Sequence, residues 1–368
     1  MAKPREPLWP IEPHTVAKHE ILRRYLTRWI PIMASRNPRI VYIDGFAGPG
    51  KYLGGEDGSS IIALKVAGDF VERGTLKAKQ LAMYLVEPHA DRHDLLESEI
   101  RALRESDVAY QGIGVTVVHS EYTTAMDDIW KQLETAHAKL APTFAFIDPF
   151  GVSGTPFEHV VRLLSNPKTE VLINLMYEEA NRFLTTPEFE GHLDAFFGDA
   201  SWRRLIDIPG SAKRRDATIE LFKQRLRAAG AKYVQVFEMK NQRNQTDYLL
   251  FFGTHSDKGL EVMKEAMWRV DSSGTFSFSD YTHAKGPMLI EPSPNYDSLQ
   301  DQLRDRFHGK EVGMQDIRLF VLAETSFFHY KREALKPMEA SGLIEVIPAP
   351  GKRRRAGTYA DDVRIKFS

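Results

Sequence analysis

The stretch 41–50, VYIDGFAGPG, closes an apolar run with Asp44 and then places Gly45, Gly48 and Gly50 within six residues. Glycine permits positive φ and lets a backbone come close to a ligand. The spacing is G-x-x-G-x-G, unlike the G-x-G-x-x-G of dinucleotide binding, and the Lys-Ser/Thr pair of a phosphate loop is missing. That argues against a nicotinamide enzyme. An acid before the glycines suits a cationic ligand with an amino-acid end, and S-adenosylmethionine offers a sulfonium and an α-amino group. The plain alternative is a tight strand-to-helix turn without a ligand. Glu87, in YLVEPHADR, ends a second apolar run and is followed by Pro88. A carboxylate there can accept hydrogen bonds from two ribose hydroxyls, although its 43-residue separation from Asp44 exceeds the roughly 20 of a dinucleotide fold. Read alone, Glu87 is a surface acid; after a glycine loop it becomes a ligand candidate.

Two further tips carry polar residues. A third run ends in His119, Ser120 and Glu121; residues at this place in methyltransferase-like sheets contact an adenine amine, and a helix cap from Ser120 explains them equally well. A fourth ends in FAFIDPFG, where Asp148, Pro149 and Phe150 stand close to the D/N-P-P-aromatic tetrapeptide of methyltransferases acting on exocyclic amines. There the acid and a proline carbonyl hold the amine and an aromatic ring stacks an extruded base. The departures are Phe150 in place of the second proline and Gly151 in place of the aromatic. A strand-end Asp that merely orders its loop is the competing account. Lys18 and His19 are substrate-side candidates if the first helix covers the crevice; a solvated helix face is the bland account of both.

The elements that position these residues alternate. Helical spacing over 14–33 gives a first helix that Pro31 and Pro38 should end. Strands at 40–43, 81–86, 115–118, 143–147 and 171–176 alternate with helices at 59–70, 91–103, 123–136 and 157–164. Helices at 187–197 and 212–229, strands at 233–239 and 248–253, and a helix at 258–270 follow. This is an α/β chain with a Rossmann-like sheet of about seven strands, parallel and covered on both faces. Open α/β sheets bind ligands at the carboxyl edge, where these tips converge. The segment 271–296, rich in Ser, Gly and Pro, reads as a linker or lid. Helices at 299–307, 314–324 and 328–340, then strands at 343–347 and 363–367 around a basic tip, suggest a winged helix. The expected divisions are an N-terminal helical cap (1–38), a methyltransferase-like domain (39–270), the linker (271–296) and the winged helix (297–368).

From 326 to 368 there are nine basic residues against five acidic ones. Lys331 and Arg332 lie early in the last helix, and Lys352, Arg353, Arg354 and Arg355 sit at the wing tip, placed for a groove and for phosphates. A protein–protein module with a solvated basic loop is the alternative. The whole chain carries 49 basic and 50 acidic residues, so any nucleic-acid binding is local. With no cysteine there is no disulfide, no Cys-ligated zinc, no iron–sulfur cluster and no thiolate nucleophile. Methylation of pyrimidine C5 through a Cys adduct is therefore excluded, whereas transfer to nitrogen or oxygen needs no covalent intermediate. No metal site is expected. Neither a signal core nor a membrane-length apolar run is present, so a cytoplasmic protein without membrane attachment is expected.

The stretches HTVAKHEILRRYLTRW, YIDGFAGPGKY, GSSIIAL, YLVEPH, FIDPFG and YLLFFGTHSDKGLEVMKEAMW together resemble the three-Cys-motif partner protein family. That family is similar to class I S-adenosylmethionine-dependent methyltransferases with a C-terminal winged helix. The resemblance implies that Asp44, Gly45, Phe46, Ala47, Gly48 and Gly50 line the cofactor loop, that Glu87 holds the ribose, and that Asp148 to Gly151 stand at the transfer position. It also implies a separate partner carrying a three-cysteine motif, of radical-enzyme type. Two functions follow as expectations: N-methylation of a nucleic-acid base or related amine, or a non-catalytic nucleic-acid-binding partner of that cysteine protein.

Overall fold

The computed structural model describes residues 6–273, 275–281 and 293–368. They fall into two compact units, one drawn from Met1–Ala266 and Ser277–Pro287, the other from Met267–Phe276 and Met288–Ser368.

In the first unit, α1 (Pro13–Ala34) leads into β1 (Arg39–Asp44), α2 (Ser59–Glu72), β2 (Gln80–Val86), α3 (Ala90–Ser106), β3 (Gly114–Val118), α4 (Tyr122–Thr135), β4 (Thr143–Ile147), α5 (Phe157–Leu164) and β5 (Thr169–Leu175). There follow α6 (Tyr177–Phe183), α7 (Glu190–Phe197), α8 (Ser211–Ala228), β6 (Tyr233–Lys240), β7 (Thr246–Thr254), α9 (Asp257–Val270) and β8 (Ser277–Ser279). One eight-stranded sheet runs β3-β2-β1-β4-β5-β7-β6-β8. Only β7 is antiparallel to its neighbours. The order reverses between β1 and β4, the switch point at which such sheets open a crevice. This is the expected Rossmann-like class I methyltransferase sheet, with one short strand more than the sequence suggests.

Period-two alternation assigns the two faces. On one face Tyr25 of α1 packs with ring centroids 5.0 Å from Phe144 and 5.1 Å from Phe252. On the other, Phe222 of α8 lies 4.7 Å from Phe251, within a core that includes Ile43, Ala145 and Ile173. All residues of β4 and β5 are buried, as strands covered on both sides require. Thus α1 is a layer of the sheet and not a detached cap. It also runs through Pro31, contrary to the sequence reading. Pro31 lacks only one donor so near the end, and Asn37 closes the helix by donating its amide N–H (3.1 Å) and Nδ2 (2.8 Å) to the Met33 carbonyl. The linker expected at 271–296 is corrected in part: Ser277–Ser279 pair with β6 as β8. Residues 282–292 of that segment lie outside the described residues.

The second unit holds α10 (Tyr296–Phe307), β9 (Glu311–Gly313), α11 (Met314–Glu324), a π-helical turn (Lys331–Leu335), α12 (Lys336–Ala340), β10 (Ile344–Ile347) and β11 (Arg364–Phe367). Its antiparallel sheet, β10-β11-β9, is the winged-helix sheet. Leu303, Ile317, Val321, Leu335, Met338, Ile365 and Phe367 fill its core. The helix expected over 328–340 is split into the π turn and α12. Pro337 has no N–H for the preceding turn, so hydrogen bonding shifts there, with Ala334 and Leu335 both donating to Tyr330.

Candidate functional site

Backbone hydrogen bonds stitch the carboxyl tips of β1 to β4 together. The N–H of Gly45 donates to Phe146 (2.9 Å), that of Ala47 to Val86 (2.8 Å) and that of Glu87 to Val118 (3.1 Å). Phe46 then stacks on Tyr122, with centroids 5.3 Å apart. The glycines meet separate demands. A Cβ on Gly45 would stand 2.8 Å from the Tyr122 ring, while Gly48 and Gly50 have φ of +62° and +83°.

Pairing register decides which acid meets solvent. Asp44 pairs with Leu85 on one side and Phe146 on the other. Glu87 and Asp148 each lie two residues beyond those partners, about 7 Å nearer the sheet edge. Asp44 is accordingly fully buried. Its carboxylate accepts from Ser59 Oγ (2.6 Å), Ser60 Oγ (3.0 Å), the Tyr42 hydroxyl (3.2 Å) and the Phe46 N–H (3.3 Å). Burial pushes its pKa up to about 6 against those donors. Asp44 and Gly45 line neither of the cavities at this edge. The expectation that Asp44 faces a ligand is corrected: it shapes the loop, and reaches the cavity through Ser59 and Phe46, which it holds.

Two cavities open here. One of about 350 Å³ is lined by Gly48, Pro49, Gly50, Ser59, Lys18, His19, Asp148, Pro149, Asn174 and Tyr248, among others. The second, about 520 Å³, is lined by Glu87, Pro88, Arg92, Glu121, Glu179, Arg182, Phe183 and Phe189, among others. Phe46 and Phe150 line both. Between them Trp9 meets Phe150 edge-on at 5.7 Å, and the Arg92 guanidinium lies 4.8 Å over the Trp9 ring.

In the first cavity Asp148 Oδ2 accepts from Lys18 Nζ at 2.5 Å, and Oδ1 accepts from Asn174 Nδ2 at 2.7 Å. Asn174 Nδ2 also reaches the Met176 sulfur at 3.4 Å. Two acceptors fix this amide's orientation, because the carboxylate cannot donate. Asn174 Oδ1 is therefore a buried acceptor, and among the described residues nothing donates to it. Lys18 Nζ sits 4.9 Å above the Tyr248 ring. His19 is neutral: burial, with help from Lys18, pulls its pKa down to about 3. It belongs to the wall and carries no charge to a substrate.

In the second cavity Glu87 is buried and accepts from the His89 N–H at 2.8 Å. Burial raises its pKa, offset by the His89 N–H, Arg92 and the Gly48 N–H. Glu121 lines the cavity and Ser120 does not. Nor does Ser120 cap α4: its Oγ donates to the Glu121 carbonyl at 3.2 Å, and Glu121 holds the N-cap position.

Sequence reasoning missed Trp9, Arg92, Asn174, Tyr248 and the α6 residues. Asn174 had a readable signal, the one polar residue inside the apolar run VLINLM.

On the wing, the six basic residues separate into two groups. Arg354 is drawn inward: it pairs with Glu339, which also accepts from the Tyr359 hydroxyl (2.7 Å) and the Gly357 N–H (3.0 Å). Lys352 pairs with Asp362 at 2.5 Å, and Lys331 donates to the Tyr359 carbonyl at 2.9 Å. Arg332 lies 3.8 Å from Glu333, while Arg353 and Arg355 are exposed and form no ion pair with another described residue. Of the six expected phosphate contacts, these two are the ones left open.

The sheet order and the antiparallel wing define a class I methyltransferase fold joined to a winged helix. Residues 278–351 match the model of the GMT-like wHTH domain family. Among curated proteins no sequence matches. Similar solved structures include Trm1 from Pyrococcus horikoshii in complex with S-adenosyl-L-methionine, at 12% identity and TM-score 0.34, covering 71% of this chain and 61% of that one. Human methyltransferase-like protein 13 in complex with SAH aligns at 12% identity and TM-score 0.34, over 70% of this chain and 91% of that one. Human methyltransferase 10 domain containing protein aligns at 11% identity and TM-score 0.30, over 64% and 83%. No described helix is long and apolar enough to cross a membrane.

Proposed function

We propose that the chain is an S-adenosylmethionine-dependent methyltransferase acting on the nitrogen of a nucleic-acid base or related amine. The observation that carries this is Asn174 Oδ1, a buried acceptor without a donor, beside the Asp148 carboxylate, in a cavity that the glycine loop also lines. A buried acceptor left unmatched costs about 1–3 kcal/mol, which an incoming N–H recovers. A hydroxyl or thiol brings one proton for two acceptors; an amine brings two.

Glu87 has the chemistry to hold ribose hydroxyls, and Phe46, Ala47, Gly48, Gly50, Pro88 and Glu121 to enclose the rest of the cofactor. Acids on two sides suit a cationic nucleoside. When bound, S-adenosylmethionine supplies a methyl group on a positive sulfur. The chain's own part is positioning. Asn174 Oδ1 and Asp148 orient the amine lone pair, Lys18 keeps the carboxylate in place, and Asp148 is the group that takes the amine proton. Pro149 fixes the turn, and Phe150 forms the wall against which a flat acceptor lies.

Isothermal titration of the full chain with S-adenosylmethionine tests the reading. Saturable binding is expected, with Glu87→Ala weakening it by about 1.5–3 kcal/mol and Ser120→Ala leaving it unchanged. Absence of binding at millimolar cofactor overturns it. A second reading is favoured by Trp9, whose ring stands between the cavities: a non-catalytic nucleic-acid-binding scaffold for a three-cysteine, radical-enzyme-like protein. Labelled-methyl transfer to RNA or DNA, lost in Asn174→Leu, separates the two.

A further inference from the structure

The segment after β5 carries an aromatic cluster that neither the glycine loop nor the Asp148 group uses. Phe183, at the end of α6, lies face to face with Phe189, with centroids 3.7 Å apart and planes within 3°. The exposed Arg182 guanidinium lies over the Phe183 ring, 4.6 Å from its centroid, as a cap that an incoming base would displace toward its own phosphate. All three line the second cavity, together with Phe46 and Phe150. Phe189 packs against the core, whereas Phe183 is half-buried and Arg182 exposed. Aromatic pairs prefer offset or edge-on packing, so a near-eclipsed pair at a cavity mouth is a surface ready to trade a contact. None of the described residues forms an ion pair with Arg182.

We propose that Phe183, backed by Phe189 and flanked by Arg182, is a stacking platform for an unpaired base of a single-stranded nucleic acid. Three features of the cluster select this occupant. Stacked aromatics beside a guanidinium are what a base and its phosphate recognise together, and the ring face tolerates any base. Arg182 supplies positive charge for the phosphate, while Glu179, one turn earlier on α6, and Glu121 line the same cavity as acceptors for exocyclic amines. Platform and cofactor candidate reach this cavity from different elements, Phe183 from α6 after β5 and Glu87 from the tip of β2. The proposal gives the Glu87 side to the nucleoside of the cofactor and the α6 side to a second ring. The proposal rests on the methyltransferase reading only in placing that ring beside the transfer site; binding itself does not need catalysis.

The test compares the full chain's affinity for a fluorescein-labelled single strand with that for a strand of abasic spacers of the same length. Ribose and deoxyribose versions distinguish the two nucleic acids. The wild-type chain is expected to favour the base-bearing strand by about ten- to a hundred-fold. Phe183→Leu and Phe189→Leu should bring that ratio close to one, while Phe183→Trp keeps it and its added indole emission is quenched by the strand. Titration of each variant with S-adenosylmethionine runs in parallel and should match wild type. Equal affinity of the wild-type chain for both strands overturns the proposal, and so does a ratio unchanged in both Leu variants. Weakened cofactor binding with an unchanged ratio also overturns it, by giving that end of the cavity to the cofactor. Failure of the wild-type chain to bind cofactor refutes the methyltransferase reading alone, because the strand comparison is read without it.

Discussion

Replacing Asp44 with Asn tests whether this acid is a scaffold or a ligand contact. The side chain is inaccessible to solvent and accepts four hydrogen bonds, from Ser59, Ser60, Tyr42 and Phe46. Two effects oppose each other. Four donors stabilise the anion, and a carboxylate so served can have a strongly lowered pKa. Burial destabilises it, and here burial wins, raising the pKa from 3.8 to about 6. A carboxyl whose folded value lies above its unfolded one contributes stability that is complete below about pH 4. That stability is lost as the pH rises through about 6. At roughly 1.4 kcal/mol per unit the loss is about 3 kcal/mol.

The Asn variant carries no such loss. It gives up a pH-independent amount, on the order of 1–2 kcal/mol, because hydroxyls that now donate must turn to accept from Nδ2. Ser60 has somewhere to turn, since its Oγ already approaches the Ala47 carbonyl at 3.4 Å. Urea unfolding of wild type and Asp44→Asn at half-unit steps from pH 4 to pH 8 isolates the titrating part. The stability difference should swing toward the Asn variant by about 3 kcal/mol across that range, whatever its value at the acid end. A flat difference refutes the reasoning. A swing toward wild type refutes it more sharply, since the four donors would then outweigh burial. S-adenosylmethionine affinity at pH 8 should change far less in Asp44→Asn than in Glu87→Ala, because Asp44 lines no cavity itself and acts there through Ser59 and Phe46.

Other perturbations follow from the same geometry. Lys18→Met and Asp148→Ala should each cost about 2–4 kcal/mol in thermal unfolding, with the double variant less damaged than the sum by at least about 1 kcal/mol. Each single change strands a charge in a buried pair. Gly45→Ala should cost about 1–3 kcal/mol, since its Cβ meets a Tyr122 ring already held by Phe46; Gly55→Ala, which meets no neighbour, measures the cost of positive φ alone. On the wing, Arg353→Ala with Arg355→Ala should leave the melting temperature unchanged and lower the salt slope of DNA binding by about 2. Arg354→Ala should instead melt the second unit earlier, because it leaves Glu339 without its partner.

Much of the fold is legible in the sequence because its elements are bounded by strong local signals. The strand at 143–147 and the helices at 157–164 and 314–324 are read with the bounds they have in the structure. Each is an apolar pattern of clear period closed by Asp, Pro, Gly or Ser. Where the local signal is weak the reading fails. The α6 sequence, YEEANRF, buries only Tyr177 and Ala180, so it offers no periodic stripe. The three residues of β9 are too short to alternate, and they become a strand only because β11 lies beside them.

The site divides along the same line, and the division is set by register. Asp44, Glu87 and Asp148 share one sequence signature, a polar residue closing a buried run, and Asn174 is a polar residue inside one. Their fates differ because β1 stops short. Asp44 is level with Leu85 and Phe146, so the two strands beside it continue past it and bury it. Asp148 and Asn174 are level with each other, one step beyond the Ile147–Ile173 pair, so their side chains meet at the edge. Antiparallel β7 brings Tyr248 level with Met176, one step past the Leu175–Leu249 pair and two residues beyond Asn174 toward the edge. Residue type and strand membership are written locally in the chain. Register is a relation between segments that lie about 26 to 100 residues apart, and no local pattern carries it. The sequence can therefore nominate polar residues near strand ends, but only strand pairing decides that one becomes the scaffold of a loop while two others become the wall of a cavity.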